Sequence, residues 1–444
     1  MIPYKLLFKT FLFLVLFFSN THAQEVLTLE NAVKIALENN YEIKIASNNS
    51  LIAATNAAMG NAGMLPTLAA SVTTNNRVQN SSLTLQSGVV NSLDNAKNNN
   101  LNYGVNLDWT VFDGFKMFAK LDQLKELQKL GEAQLKQIIL NKISAVTTTY
   151  FDLVQQQQQL IALDSSITIS NHRLNLAQNR YKIGKASKLE ILNAQVDLNT
   201  DKVALLRQKE LYANTKILFN EIVARDTKTN FKVIDGINVD TTLALNELTD
   251  LAEKQNPQLI AQIIANKVAE LDLKQIKGNR YPTIRLSTGY NMTETQASLG
   301  FAKATSAQGF NYGLSAAVNI FDGLNQNRNE KIAQLQLNNT KLAVEQEKLA
   351  LQSQLATSFQ TYSTHLELID IEEKNEAIAK QNLAITLDKF KIGTITTLEF
   401  RTAQLNYINA KARNTNAQFQ AKLSEIALKE LAGIINLTNT NYKR

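Results

Sequence analysis

The two histidines beyond residue 23, His172 and His365, are the side chains best suited to proton transfer, because imidazole titrates near neutral pH. Read against itself at an offset of 209, the chain places Gln381 and Gln156 at their counterparts. Neither histidine recurs, and both read as solvated helix residues. No Gly-rich phosphate loop, metal-ligand cluster or nucleophile elbow is present. Cysteine is absent, so there is no thiolate, no disulfide and no lipidated cysteine. The sequence therefore implies neither catalysis nor a cofactor or metal. What recurs is a charged residue four positions before a glycine and a carboxylate six after it: Arg180, Gly184 and Glu190, then Lys389, Gly393 and Glu399. Ser187 or Thr396 stands three residues before the glutamate, which spells a helix stop, a short turn and a capping-box restart. A carboxylate in the first turn is also favoured by the helix dipole alone.

These residues belong to a duplicated chain. Tyr103, Gly104, Phe112, Asp113 and Gly114 return as Tyr312, Gly313, Phe321, Asp322 and Gly323, and residues 103–224 match 312–433 with no insertion in either copy. A long helix with a fixed apolar stripe imposes such constancy; a loop does not. Upstream, Asn40 and Pro66 match Asn256 and Pro282 at offset 216, so seven extra residues lie between Pro66 and Tyr103.

Residues 1–23 stand outside the repeat. Lys5 and Lys9 precede an apolar run from Phe11 to Phe18, and Thr21-His22-Ala23 supplies a small-residue cleavage point, the layout of a secretory signal peptide. The run is too short for a membrane span, and no later stretch reaches about 18 apolar residues. The formal charge of +7 falls to +5 once Lys5 and Lys9 are removed. That excess is spread along the chain without a basic, aromatic-rich patch, which argues against nucleic acid as a partner.

Two periodicities alternate in each copy. Leu68, Ala70, Val72 and Thr74, then Leu101, Tyr103, Val105, Leu107, Trp109 and Val111, alternate with polar residues. Leu286, Thr288, Tyr290 and Met292, then Tyr312, Leu314, Ala316, Val318 and Ile320, do the same. These are expected as four strands of about 9 to 12 residues, long enough to cross a bilayer with Leu107, Trp109, Leu286 and Leu314 toward lipid. Pattern alone equally fits a half-buried strand of a soluble sandwich. Trp109, Phe112, Phe115 and Phe321 fit an interfacial aromatic girdle or simple packing at a strand-to-helix junction. The Asn/Ser-rich stretch 76–100 and the shorter 293–308 are expected as loops.

The rest reads as helix. Proline is absent from 115–222 and from 324–431, and a helix from Phe115 to Ala177 would be roughly 95 Å long, so it must lie in a coiled-coil-like assembly. The expected organisation is a signal peptide (1–23), a first repeat (24–224; strand pair about 66–112, helical hairpin 115–224) and a linker (225–244). A second repeat (245–433; strand pair about 282–321, hairpin 324–433) and a tail (434–444) follow. The fold class is mixed α and β.

This order of strand pair, Phe-Asp-Gly and hairpin resembles the TolC family of outer-membrane efflux proteins. So do the tip texts Arg180-Tyr181-Lys182-Ile183-Gly184 and Glu190 to Gln195, echoed by Lys389 to Gly393 and Glu399 to Gln404. The resemblance implies a homotrimer whose chains share a 12-stranded barrel in the outer membrane and continue as a helical tunnel through the periplasm. Its partners would be lipid, a periplasmic adaptor and an inner-membrane pump. It also implies that Arg180, Gly184, Glu190, Lys389, Gly393 and Glu399 form the tunnel tip where the adaptor docks. Relatives with a further carboxylate three residues on constrict the entrance with it; here Asn193 and Thr402 stand in that register, so an acidic ring is in question. The alternative is a periplasmic coiled-coil adaptor or structural protein that spans no membrane. A diffusion porin leaves more than 200 helical residues unexplained.

Overall fold

The computed structural model describes residues 25–234 and 236–434; the expected signal peptide and all but the first residue of the tail lie outside them. The first copy runs β1 (Glu25–Leu27), α1 (Leu29–Asn39), α2 (Tyr41–Asn56), β2 (Thr67–Thr84), β3 (Val90–Phe112), α3 (Lys116–Lys182) and α4 (Lys188–Ile222). After β4 (Phe231–Val233) the second copy runs α5 (Leu245–Gln255), α6 (Pro257–Gly278), β5 (Thr283–Ala297), β6 (Ala304–Ala317), α7 (Asn325–Ile392) and α8 (Thr397–Leu431). The chain divides into two compact units. One holds the described parts of 1–46, 135–257 and 348–444; the other holds 47–134 and 258–347.

The second unit is built on an antiparallel sheet of order β2-β3-β5-β6. Each strand pair departs from the sequence expectation in length. β2 and β3 span 18 and 23 residues and β5 and β6 span 15 and 14, so most of 76–100 is strand and only 85–89 turns. The polar stretch lacks apolar alternation because it forms a two-stranded ribbon with no side to bury. Backbone pairing alone carries it, from Val78↔Lys97 to Thr84↔Val90, beyond the last residues of β3 that also pair with β5. A bulge interrupts the ribbon between Gln79 and Ser81, where Asn80 Oδ1 accepts from Asn95 N at 2.9 Å and Asn95 takes a positive φ. In the second copy, β6 stops at Ala317 although alternation continues to Ile320. Its neighbour β5 begins at Thr283, directly after Pro282, which has no N–H to offer the ladder. Each Phe-Asp-Gly turns strand into helix: Asp113 Oδ1 accepts from Met117 N at 3.2 Å, and Asp322 Oδ2 from Gln326 N at 2.8 Å.

The first unit contains the hairpin ends and a small core. β1 and β4 pair in parallel over Leu27, Val33, Val146, Tyr150, Val154, Phe219 and Phe231. Tyr150 Oη ties the two strands, donating to Leu27 O at 3.0 Å and accepting from Ile234 N at 3.1 Å. The segment expected as a linker is thus anchored structure. Asp240 N donates to Glu425 Oε2 at 2.9 Å, and Lys429 Nζ lies 3.1 Å from Asp240. β4 was not legible because three residues are too few to show a period.

Candidate functional site: sheet faces and hairpin tips

Cross-strand partners point to the same side of a sheet, so the register assigns faces. Leu68, Leu107, Thr288 and Tyr312 form one row, and Trp109, Leu286 and Leu314 the next on the same side. Along β5 this side runs from Ile284 to Met292, about 27 Å at 3.4 Å per residue, close to the roughly 25 Å apolar band of a membrane barrel. Its first charge is Glu294, whose carboxylate accepts from Tyr103 Oη at 3.4 Å. At the other end Trp109 Nε1 donates to Met64 O at 3.0 Å, leaving the ring part-exposed. Leu314 and Tyr312 are 72% and 82% exposed, an apolar surface that the chain itself does not cover. The opposite side is polar. Asn291 Nδ2 donates to Asn106 Oδ1 and Asn311 Oδ1, both at 2.9 Å, so amides bridge three strands on this side.

The tips follow the glycines. α3 ends with Gly184 N bonded to Tyr181 O (2.9 Å) and Lys185 N to Arg180 O (2.8 Å); α7 ends with Gly393 N on Lys389 O and Thr394 N on Lys389 O, both at 3.1 Å. Gly184 and Gly393 have φ of 75° and 84°, the left-handed conformation that closes a helix and that glycine adopts at no steric cost. The restarts differ. Thr396 and Glu399 form a reciprocal capping box, which holds the Glu399 carboxyl below its usual range through the Thr396 backbone and hydroxyl bonds. Ser187 makes no side-chain cap bond, contrary to expectation: Glu190 N donates to the Ser187 carbonyl at 3.1 Å, and the Glu190 carboxylate lies 3.8 Å from Arg180.

Arg180 also donates to the Phe390 carbonyl at 2.6 Å and lies over the Phe390 ring, which stacks on Phe400. It therefore joins the two tips, satisfying a C-terminal carbonyl of α7 with a cation. Lys389, its repeat counterpart, is exposed. Asn193 and Thr402 are exposed as well, and a groove of about 420 Å³ lined by Thr386, Lys389, Leu398, Glu399 and Thr402 runs between α7 and α8.

One cluster escaped the sequence reading. Asp201 on α4 receives a bidentate pair from Arg401 on α8, at 2.7 and 2.9 Å, and bonds from Ser166 (3.2 Å) and Ser170 (2.5 Å) on α3. Gln404 donates to Ser166 and Ser170 at 3.0 Å. The Asp201 and Arg401 side chains are 7% and 9% exposed. Burial works to raise the Asp201 pKa, but Arg401 and the two serines outweigh it and the carboxyl sits below its usual range. Among the described residues no group of three or more His, Cys, Asp or Glu could hold a metal.

Residues 32–218 and 248–434, one range in each copy, match the family described as outer membrane efflux protein. The chain is 21% identical over 324 residues to outer membrane protein TolC of Escherichia coli (strain K12), covering 67% of this chain and 62% of that one. It is 21% identical over 346 residues to outer membrane protein TolC of Vibrio cholerae, covering 76% of this chain and 77% of that one. The fold is similar to the CmeC outer membrane channel of Campylobacter jejuni, with a TM-score of 0.77 at 16% identity over 91% of this chain and 85% of the other.

Proposed function

Because this chain belongs to the outer membrane efflux protein family, we propose that it forms a passive trimeric duct of the outer membrane. The duct serves efflux or type I secretion, receiving cargo from an inner-membrane pump through a periplasmic adaptor. The observation that carries this reading is the open sheet. Four strands present one apolar and one amide-lined face, and β2 and β6 each keep an unpaired edge. Four strands cannot close around a lumen, whereas three chains joined β6 to β2 make a closed barrel of 12 with lipid outside and water inside. The first unit supports assembly with further copies. Leu189, Val196 and Val203 on α4, and Ile371, Ile378 and Ile385 on α7, are exposed at seven-residue spacing, the seam a neighbouring helix would cover.

The duct has no chemistry of its own; energy comes from the pump. Arg180, Gly184, Glu190, Lys389, Gly393 and Glu399 form the end that meets the adaptor, and Leu107, Trp109, Leu286 and Leu314 meet lipid. A periplasmic coiled-coil adaptor would leave an exposed apolar sheet without purpose. The test is fractionation followed by mass measurement in detergent, with efflux of a dye from cells lacking their own duct. Outer-membrane trimers that restore efflux are expected. A soluble periplasmic monomer would refute the reading.

A further inference from the structure

The two strand pairs share one register. Thr67↔Asp108 in β2–β3 and Thr283↔Ala317 in β5–β6 are the same pair at offsets 216 and 209, and the match runs on to Gln79↔Ala96 and Thr295↔Thr305. Between the pairs β3 lies against β5, and it runs past the first pair of β2, so that Trp109, Thr110 and Phe112 are held by β5 alone. β6 has no such neighbour inside the chain. Its continuation through Val318, Ile320 and Phe321 is exposed. Two further features recur without their partner. A Cβ added at Gly104 would run into Asn291 Oδ1, whereas one added at the counterpart Gly313 would meet only Ser287 Oγ, at 3.6 Å, within 4 Å. Phe115 and Leu324 take the same left-handed backbone, φ 66° and 65°, but Phe115 packs edge-on against Phe112 and Tyr281 while Leu324 is exposed.

We propose that the join between copies repeats the β3–β5 seam residue for residue, so that the internal duplication sets the register in which β6 of one copy meets β2 of the next. This register rests on the proposed duct and supplies its pairs. Carried over at the two offsets, Val105↔Tyr290, Leu107↔Thr288, Asp108↔Ser287 and Trp109↔Leu286 become Leu314, Ala316, Ala317 and Val318 opposite the partner's Thr74, the partner's Val72, the partner's Ser71 and the partner's Ala70. Parity agrees, because apolar side meets apolar side, which a slip of one residue would reverse. The bulge that sets Phe112 opposite Ile284 sets Phe321 opposite the partner's Leu68, and both side chains are exposed in the single chain. Gly313 then faces the partner's Asn75 as Gly104 faces Asn291. Leu324 gains the partner's Leu65 where Phe115 has Tyr281. A slip of two residues keeps the parity and loses all three fits.

Because the chain has no cysteine, introduced thiol pairs read the register directly. Ala317→Cys with Ser71→Cys lies on the polar side and Ala316→Cys with Val72→Cys on the apolar side, so the two cover the close and the wide kind of antiparallel pair. Asp108→Cys with Ser287→Cys, the equivalent pair inside the chain, is the positive control. Ala317→Cys with Ala69→Cys, or with Thr73→Cys, reports a slip of two residues. Outer-membrane protein is oxidised with copper phenanthroline and run on denaturing gels without reductant. At least one in-register pair should convert monomer into covalent dimer and trimer bands, while the slipped pairs leave monomer. Covalent bands through a slipped pair overturn the register, as does their absence from both in-register pairs in protein that is trimeric before denaturation. Absence of trimers in the parent protein overturns the duct instead.

Discussion

Asn40 and Asn256 make the same bond in the two copies: each donates from Nδ2 to the last carbonyl of its own hairpin, Ile222 O and Leu431 O, at 2.9 Å. The asparagines are 216 positions apart and their acceptors 209. The extra seven residues of the first copy are thus absorbed in the strand pair that lies between asparagine and acceptor. Both asparagines are buried and stand where one helix stops and the next begins, with Asn40 Oδ1 also accepting from Glu42 N at 2.9 Å. Asn40→Ala or Asn256→Ala should each cost about 1–3 kcal/mol, because a part-buried carbonyl loses its donor. The double variant should be near the sum, the sites being distinct. Helix melting followed by circular dichroism reads both.

The faces of the sheet give a paired comparison. Leu107→Arg or Leu314→Arg should reduce trimer yield, since a charge on the lipid side of a barrel near mid-bilayer costs about 2–4 kcal/mol. Asn106→Arg or Ser315→Arg, one residue away and on the other side, should assemble normally. Equal loss from both pairs would count against an alternating barrel.

At the tips, Gly184→Val with Gly393→Val forces two β-branched residues into left-handed backbone, at about 1–2 kcal/mol each or more. A Cβ added at Gly184 would meet no atom within 4 Å, so the burden there is conformational rather than steric. Efflux should fall while trimers persist on gels. Full efflux would exclude a functional tip, and lost trimers would assign these glycines to folding.

Acid should loosen the anchored segment between the copies. Thr242, through its hydroxyl and N–H, and Lys429 hold the Asp240 carboxyl down to about 2, against an ordinary 3.8. A lowered folded pKa stabilises fully above the unfolded value and loses that contribution as pH falls through the folded one. Asp240→Asn should therefore flatten the pH dependence of melting between about pH 4 and 2. An unchanged slope there would remove Asp240 from the account.

The sequence was legible wherever a period or a punctuating residue had one meaning. Gly184 and Gly393 stand nearly alone in proline-free runs, and the turns lie on them. Leu107, Trp109, Leu286 and Leu314 could be placed on one face because alternation fixes parity. Legibility failed where backbone pairing acts without side-chain period, as in the polar ribbon beyond Arg77, and where partners come from distant helices. Asp201 and Arg401 are 200 residues apart, and no local pattern joins them. The clue was available in the repeat itself: at both positions one copy holds a charge where the other holds Ala or Leu.

The polar ribbon makes the chain addressable from one end. Its turn at 85–89 is closed by Leu85 N to Val89 O at 2.8 Å and Gly88 N to Leu85 O at 2.9 Å, and a Cβ added at Gly88 would meet nothing within 4 Å. If the helices lie on the periplasmic side, as the proposed duct requires, this turn faces the exterior, where antibodies, phages and impermeant labels meet it first. An epitope inserted beside Gly88 would let intact cells be stained without disturbing the paired strands beneath, turning the duct into its own surface reporter.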